Sequence, residues 1–323
     1  MKYARVLVGI LVSAVFAWLT VSRVDLAEVG RALGKAAPLG VAIAIGFAWL
    51  EIAARAWRWR FLLSPLGKVS YRHAFAYTCV GYFANTLLPM RLGDVARAYL
   101  AAGALRLPRT ATLGSIVTER LADGMTILLV AAGLGLLVTD ASRVASVEAW
   151  TVLAIAAALF LIALAMLVSK HRQRVARLLP ERLCAIATKL IEGTKAVRNR
   201  RGIAVTVGST LVAYCFAVAA MVAVSASVGL SITPAQAAFA MAWIGLSTAI
   251  PAAPGSVGTY EFVGVSVLTM LGQDPASALA AVVLLHVIGT LPVALVGLVT
   301  TWVLHLRVWR VEAAPAALQA EVA

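Results

Sequence analysis

The chain has 323 residues, of which 62% are hydrophobic and only 13% charged, against about 25% charged in a typical soluble domain. Its mean hydropathy is +0.93. These values exclude a water-soluble globular enzyme, a disordered chain and a disulfide-stapled secreted domain. They leave a polytopic membrane protein, with room for about six to nine crossings at roughly 20 residues each plus loops. The 28 Lys and Arg against 14 Asp and Glu give a net charge of +14. In a membrane protein such an excess reflects basic residues kept in cytoplasmic loops. It does not call for nucleic acid as a partner.

In chain order, residues 6–20 are apolar and follow Lys2 and Arg5. No clear small-x-small cleavage site precedes Arg23, so an uncleaved first span is expected rather than a signal peptide. A second span covers 38–54, interrupted by Glu51 and ending in Arg55-Ala-Trp-Arg-Trp-Arg60. Trp57, Trp59 and the three Arg read as an interfacial anchor, and Glu51 and Arg55 as a helix-surface pair four residues apart. Residues 74–89 and 95–103 are short apolar arms around Asn85-Thr-Leu-Leu-Pro-Met-Arg-Leu-Gly-Asp94. Residues 110–139 form a long apolar helix carrying Glu119, Arg120 and Asp123, and 149–168 an uncharged span. Ten Lys and Arg interleave with apolar residues over 169–202, as in a basic amphipathic segment on the cytoplasmic face. Residues 203–228 form another span. Residues 235–250 stop at Pro251-Ala-Ala-Pro-Gly-Ser-Val-Gly258, and 260–271 follow as a second short arm with Glu261 near its start. Residues 276–306 are long and apolar and hold His286, Pro292 and His305; 307–323 read as a flexible cytoplasmic tail.

The positive-inside rule places both termini, 169–202 and the loop after the second span in the cytoplasm. As helices, 74–89 and 95–103 reach only about 24 and 14 Å, short of the roughly 30 Å hydrocarbon core. A re-entrant hairpin entered from the inside is therefore expected, with 234–272 as a second hairpin from the opposite face. Kinked full spans are the alternative. Irregular backbone at membrane depth needs protein or a wet cavity to satisfy it, so both turns should face the interior. The expected fold is an all-α polytopic bundle of about six full spans plus two re-entrant helical hairpins. Residues 1–306 make one transmembrane domain. Units 38–139 and 203–305 repeat the order span, hairpin, long polar-centred helix, in opposite orientation. Asn85-Thr-Leu-Leu-Pro89 aligns with Ser247-Thr-Ala-Ile-Pro251, and Arg120 roughly with His286. Inverted repeats with interrupted helices point to a transporter whose site lies near the midplane.

Glu119 lies about 14 Å into its helix, where charge facing lipid costs several kcal/mol. Two readings stand. Glu119, Arg120 and Asp123 could form internal ion pairs that lock the hairpin. Alternatively they line a polar cavity, where an Arg holds an anionic head group and a carboxylate gates or takes up a proton. Arg91, Asp94 and Arg97 could reach similar depth. Glu261 and His286 are the polar groups of the second half; a water-exposed carboxylate and a packed histidine are the plain alternatives. Gly255 and Gly258 serve a tight turn. Three widely spaced Cys without CxxC, four His without HExxH and no Ser-His-Asp set imply no metal, no cofactor and no catalytic motif.

Asn85-Thr-Leu-Leu-Pro-Met-Arg-Leu-Gly-Asp-Val-Ala-Arg97, Thr118-Glu-Arg-Leu-Ala-Asp123 and Pro251-Ala-Ala-Pro-Gly-Ser-Val-Gly-Thr-Tyr-Glu261 together resemble the signature segments of the flippase-like membrane region of lysylphosphatidylglycerol synthases. The resemblance covers about 5–305. It implies movement of lipids between leaflets, with function at Asn85, Pro89, Arg91, Gly93, Asp94, Arg97, Glu119, Arg120, Asp123, Pro251, Pro254, Gly255, Gly258 and Glu261. Asp94 stands where the family often has Glu, which keeps the carboxylate with a shorter reach. The expected protein is a lipid translocase of the inner membrane for an anionic or phosphate-bearing lipid. The alternative is a membrane subunit of a glycosyl- or aminoacyl-lipid pathway, working with a lipid-modifying transferase.

Overall fold

Within a hydrocarbon solvent every backbone N–H and C=O must be satisfied by the chain itself, which favours helices throughout. The structure, a computed structural model, describes residues 2–22, 24–88, 91–138, 157, 193–248 and 252–306. Among them are α1 (Lys2–Val21), α2 (Leu26–Gly34), α3 (Pro38–Leu63), α4 (Tyr71–Leu87), α5 (Leu92–Leu105), α6 (Arg109–Val138), α7 (Arg200–Ser227), α8 (Pro234–Ser247), α9 (Thr259–Met270) and α10 (Pro275–Val303), with no strand. Pro89, Pro251, the span at 149–168 apart from residue 157, most of the basic segment at 169–202 and the tail at 307–323 lie outside the described residues.

Local sequence sets the helix ends. The Ser70 hydroxyl accepts the His73 N–H at 3.3 Å to start α4. Thr233 and Gln236 form a reciprocal capping box at α8, with Pro234 in the first turn. Asp274 accepts the Ser277 N–H at 2.9 Å ahead of α10. Each satisfies a donor that the first helical turn leaves free.

Helices α3, α7 and α10 are long and apolar enough to cross a membrane, and α1 and α2, bent by 83° at their junction, would together make a fourth. The arms of the two expected hairpins are 17, 14, 14 and 12 residues long, so each reaches about 18–26 Å at 1.5 Å per residue. Helix α5 starts three residues earlier than hydropathy alone suggests. The earlier start brings Asp94 inside the helix, where its charge finds a partner in Arg120.

Helix packing follows a two-fold pattern. The most extensive contact joins α3 and α7; α4 packs on α10 as α8 packs on α6, and α5 on α6 as α9 on α10. Exchanging α3, α4, α5 and α6 for α7, α8, α9 and α10 reproduces the same set of packed pairs. Apolar side chains fill both halves: Met221, Val224, Phe239 and Leu268 in one core, and Trp59, Leu63, Tyr77 and Ala98 in the other.

Small residues let the hairpin backbones close up. A Cβ on Gly93 of α5 would collide with the Gly81 carbonyl and the Asn85 backbone of α4, whereas a Cβ on Gly103 of the same helix meets nothing within 4 Å. Gly93→Ala is expected to destabilise the protein by about 1–3 kcal/mol through overpacking. Gly103→Ala should be neutral or stabilising by up to about 1 kcal/mol through helix propensity. Thermal unfolding of both variants in detergent separates the two.

Candidate functional site

The helical period puts Glu51, Arg55 and Arg58 of α3 on one stripe, spaced four and then three residues apart. That stripe faces the interior. The Arg58 side chain is 0% exposed and that of Glu119 on α6 is 1% exposed. Arg58 Nη1 donates to Asp123 Oδ1 and to Thr210 Oγ1 of α7, each at 2.6 Å. Its Nη2 lies 3.0 Å from Glu119 Oε1. Arg55 bridges Glu51 at 2.8 Å and Asp123 at 3.1 Å. Arg97 of α5 reaches Glu119 Oε2 at 3.0 Å, and its guanidinium lies 4.6 Å over the Trp59 ring. Trp59 in turn donates to Ser115 Oγ at 3.1 Å. Arg120 meets Glu119 at 3.2 Å, Asp94 at 3.3 Å and Asp123 at 3.5 Å.

Four arginines thus interlock with four carboxylates, drawn from α3, α5 and α6. A buried ion is tolerable only when paired in this way. Of the four guanidiniums that of Arg120 is the most accessible, at 34%. Arg91 is different. It caps the start of α5 in the left-handed conformation, φ 55, is exposed, and has no ion pair among the described residues. The Asn85 Oδ1 atom is buried beside Gly93 with no hydrogen-bond partner among the described residues.

The structure therefore brings Asp94, Arg97, Glu119, Arg120 and Asp123 into one network, with Asn85 and Gly93 at its edge and Arg91 outside it. Pro254, Gly255, Gly258, Glu261 and His286 gather separately, at the turn between α8 and α9. There His286 Nδ1 lies 2.6 Å from Glu261 Oε1, and the Tyr260 ring stacks on the imidazole at 4.1 Å. Gly255 and Gly258 take φ 73 and 89, which only glycine adopts without strain.

Three readings need correction. Arg58 and Trp59 are not interfacial anchors: both are fully buried, while Trp57 is 45% exposed. Glu51 and Arg55 are more than a surface pair, since Arg55 also binds Asp123. The signal was present in the stripe at 51, 55 and 58, but the neighbouring aromatic residues gave it the look of a membrane-surface cluster. Glu261 is likewise no water-exposed mouth carboxylate, being only 15% exposed.

This geometry defines a multi-pass helical membrane protein with a charge-balanced arginine–carboxylate network in its interior. The sequence matches the family described as Lysylphosphatidylglycerol synthase TM region over residues 6–297, and the chain belongs to that family. It is also similar to a protein named Glycosyltransferase AglD from Haloferax volcanii, at 26% identity over 330 aligned positions covering 89% of this chain. The chain spans about half, 52%, of that relative's length.

Proposed function

We propose that this protein moves an anionic or phosphate-bearing lipid between membrane leaflets, through a cavity between two re-entrant hairpins, α4–α5 and α8–α9. The observation that carries the reading is Arg91. It is an exposed cation with no ion-pair partner among the described residues, next to a network whose own charges cancel. A phosphate would meet Arg91 first and the accessible edge of Arg120 next, where planar guanidiniums bind phosphate oxygens in pairs. The acyl chains stay in the bilayer. The N–H groups opening α5 add partial positive charge.

The exchangeable packing of α3–α6 and α7–α10 supports an inverted repeat whose halves alternate access. His286 and Arg120 are each the twelfth residue of their helix, in keeping with that correspondence. The bias of basic residues supports an inner-membrane protein of about six full spans, with both termini in the cytoplasm.

A second reading has the chain as the membrane part of a glycosyl- or aminoacyl-lipid pathway, partnered by a lipid-modifying transferase. The name of the AglD relative favours it. Reconstitution in liposomes with labelled lipids separates the two. Leaflet exchange of anionic lipids faster than in empty liposomes supports translocation, and exchange no faster for any anionic lipid refutes it. Arg120→Ala is expected to abolish exchange while the protein still inserts.

A further inference from the structure

The arginine network does not involve His286 and Glu261, which lie at the turn of the second hairpin. Both ring nitrogens of His286 face acceptors. Nδ1 is 2.6 Å from Glu261 Oε1 and Nε2 is 3.0 Å from the Gly255 carbonyl oxygen. The second carboxylate oxygen of Glu261 accepts the Gly258 N–H at 2.6 Å. A carbonyl can only accept, and a neutral imidazole has a single N–H. To make both contacts, the histidine and the glutamate must share two protons. They are either an imidazolium with a carboxylate, or a neutral imidazole with a carboxylic acid. With one proton fewer, lone pairs face each other across one of the two contacts, wherever the remaining proton sits.

The contacts tie α10 to an unusual stretch of backbone. The 310 turn Pro254–Ser256 contains Gly255 at φ 73 and Ser256 at φ 58, and Gly258 follows at φ 89. Three elements are held together: the turn through the Gly255 carbonyl, the start of α9 through Gly258 and Glu261, and α10 through His286. The Tyr260 ring lies over the imidazole at 20°, which suits a cation on its face.

Helices α2, α3, α4, α7 and α9 pack on α10. Helix α9 supplies Tyr260 and Glu261. Glu51 of α3 is held by Arg55 at 2.8 Å. Glu28 and Arg31 of α2 pair with each other at the exposed surface, 3.4 Å apart, and Lys35 caps the end of that helix. Helix α4 carries Tyr71, Arg72, His73, Tyr77, Cys79 and Tyr82. Helix α7 carries Arg200 and Arg201 at its start, then Tyr214 and Cys215.

We propose that His286 and Glu261 form a proton-binding site. Uptake of one proton locks the turn of the second hairpin onto α10, and its loss releases the turn. Resting on the translocation reading, the proton is then the ion coupled to lipid movement.

The test follows the turn directly. A single cysteine is placed by Thr259→Cys, at a fully buried site where the turn enters α9, in the full chain with Cys79, Cys184 and Cys215 replaced by alanine. Its alkylation in nanodiscs is measured from about pH 5 to pH 9, the range in which histidine titrates. Each rate is divided by that of the denatured chain at the same pH, which removes the thiol's own titration. The rate is expected to rise at least about tenfold with pH, since a locked turn keeps the open form to a minor population. Glu261→Gln should keep it low and flat. The amide oxygen retains Gly258 while its N–H donates to Nδ1, so no titrating proton is needed. His286→Ala should keep it high and flat. A flat profile for the parent, or a Glu261→Gln variant that titrates like the parent, overturns the proton site. No lipid need move in this measurement. A turn that titrates in a protein that exchanges no lipid leaves the proton site standing and overturns the translocation reading, and the coupling role with it.

Discussion

Replacing Glu119 with leucine is expected to cost about 3–5 kcal/mol of stability, because it leaves charges in the interior without their partner. Glu119 is the hub of the network. Its two oxygens serve Arg58, Arg97 and Arg120 at 3.0, 3.0 and 3.2 Å. Arg58 and Arg97 are 0% and 2% exposed, so neither can turn to water when the carboxylate is gone. Glu119→Gln should fall between, since the amide oxygen can still accept from Arg97 while the charge is lost. The surface pair Glu28–Arg31 supplies the contrast. Its side chains are 52% and 66% exposed, and Glu28→Leu should change stability by no more than about 1 kcal/mol, as is usual for exposed ion pairs. Denaturant or thermal unfolding in detergent micelles gives the ranking. If Glu119→Leu unfolds no more easily than Glu28→Leu, the network does not hold α5 and α6 to α3.

Arg91→Gly is expected to separate function from stability. The guanidinium has no ion pair to lose among the described residues, and its backbone sits at φ 55. A side chain in that region costs roughly 1–2 kcal/mol that glycine does not incur. The unfolding midpoint should therefore stay level or rise. Exchange of phosphate-bearing lipid should drop about ten- to a hundredfold, the range for losing a charge-assisted hydrogen bond of about 1.5–3 kcal/mol. Arg91→Lys keeps the charge without the paired donors and should retain part of the activity. A midpoint that falls together with exchange would make Arg91 a structural residue of the hairpin tip.

The contrast between Glu119 and Arg91 bears on what the cluster does. The two readings of the intramembrane charges, internal lock and head-group site, divide between residues. The eight paired groups have the geometry of a lock. Under the proposed function, Arg91 and the accessible edge of the paired Arg120 are the groups that would meet a head group. One helix, α5, carries both, with Arg91 capping its start and Asp94 and Arg97 within its first two turns. A ligand drawn to Arg91 would therefore act on the same helix that the network fixes in place.

The membrane class, the helical fold and the positions of the costly charges are legible in composition and hydropathy pattern. Composition fixes the solvent, and a hydrocarbon solvent leaves little choice of backbone structure. The three signature segments also pointed to the family. Ser70, Thr233 and Asp274 cap helix starts through groups three residues away, which is a local effect. Which charges meet depends on how the helices pack. Arg58 and Asp123 are 65 residues apart in sequence, and His286 and Glu261 are 25 apart. A hydropathy window averages such residues with their apolar neighbours and cannot tell a buried, partnered arginine from an interfacial one. Arg58 and Trp59 share the local pattern of a membrane-surface anchor, yet the packing of α3 against α6 and α7 turns them inward. Pairing across the bundle removes the cost of burying them, and pairing is a property of the fold rather than of the local sequence.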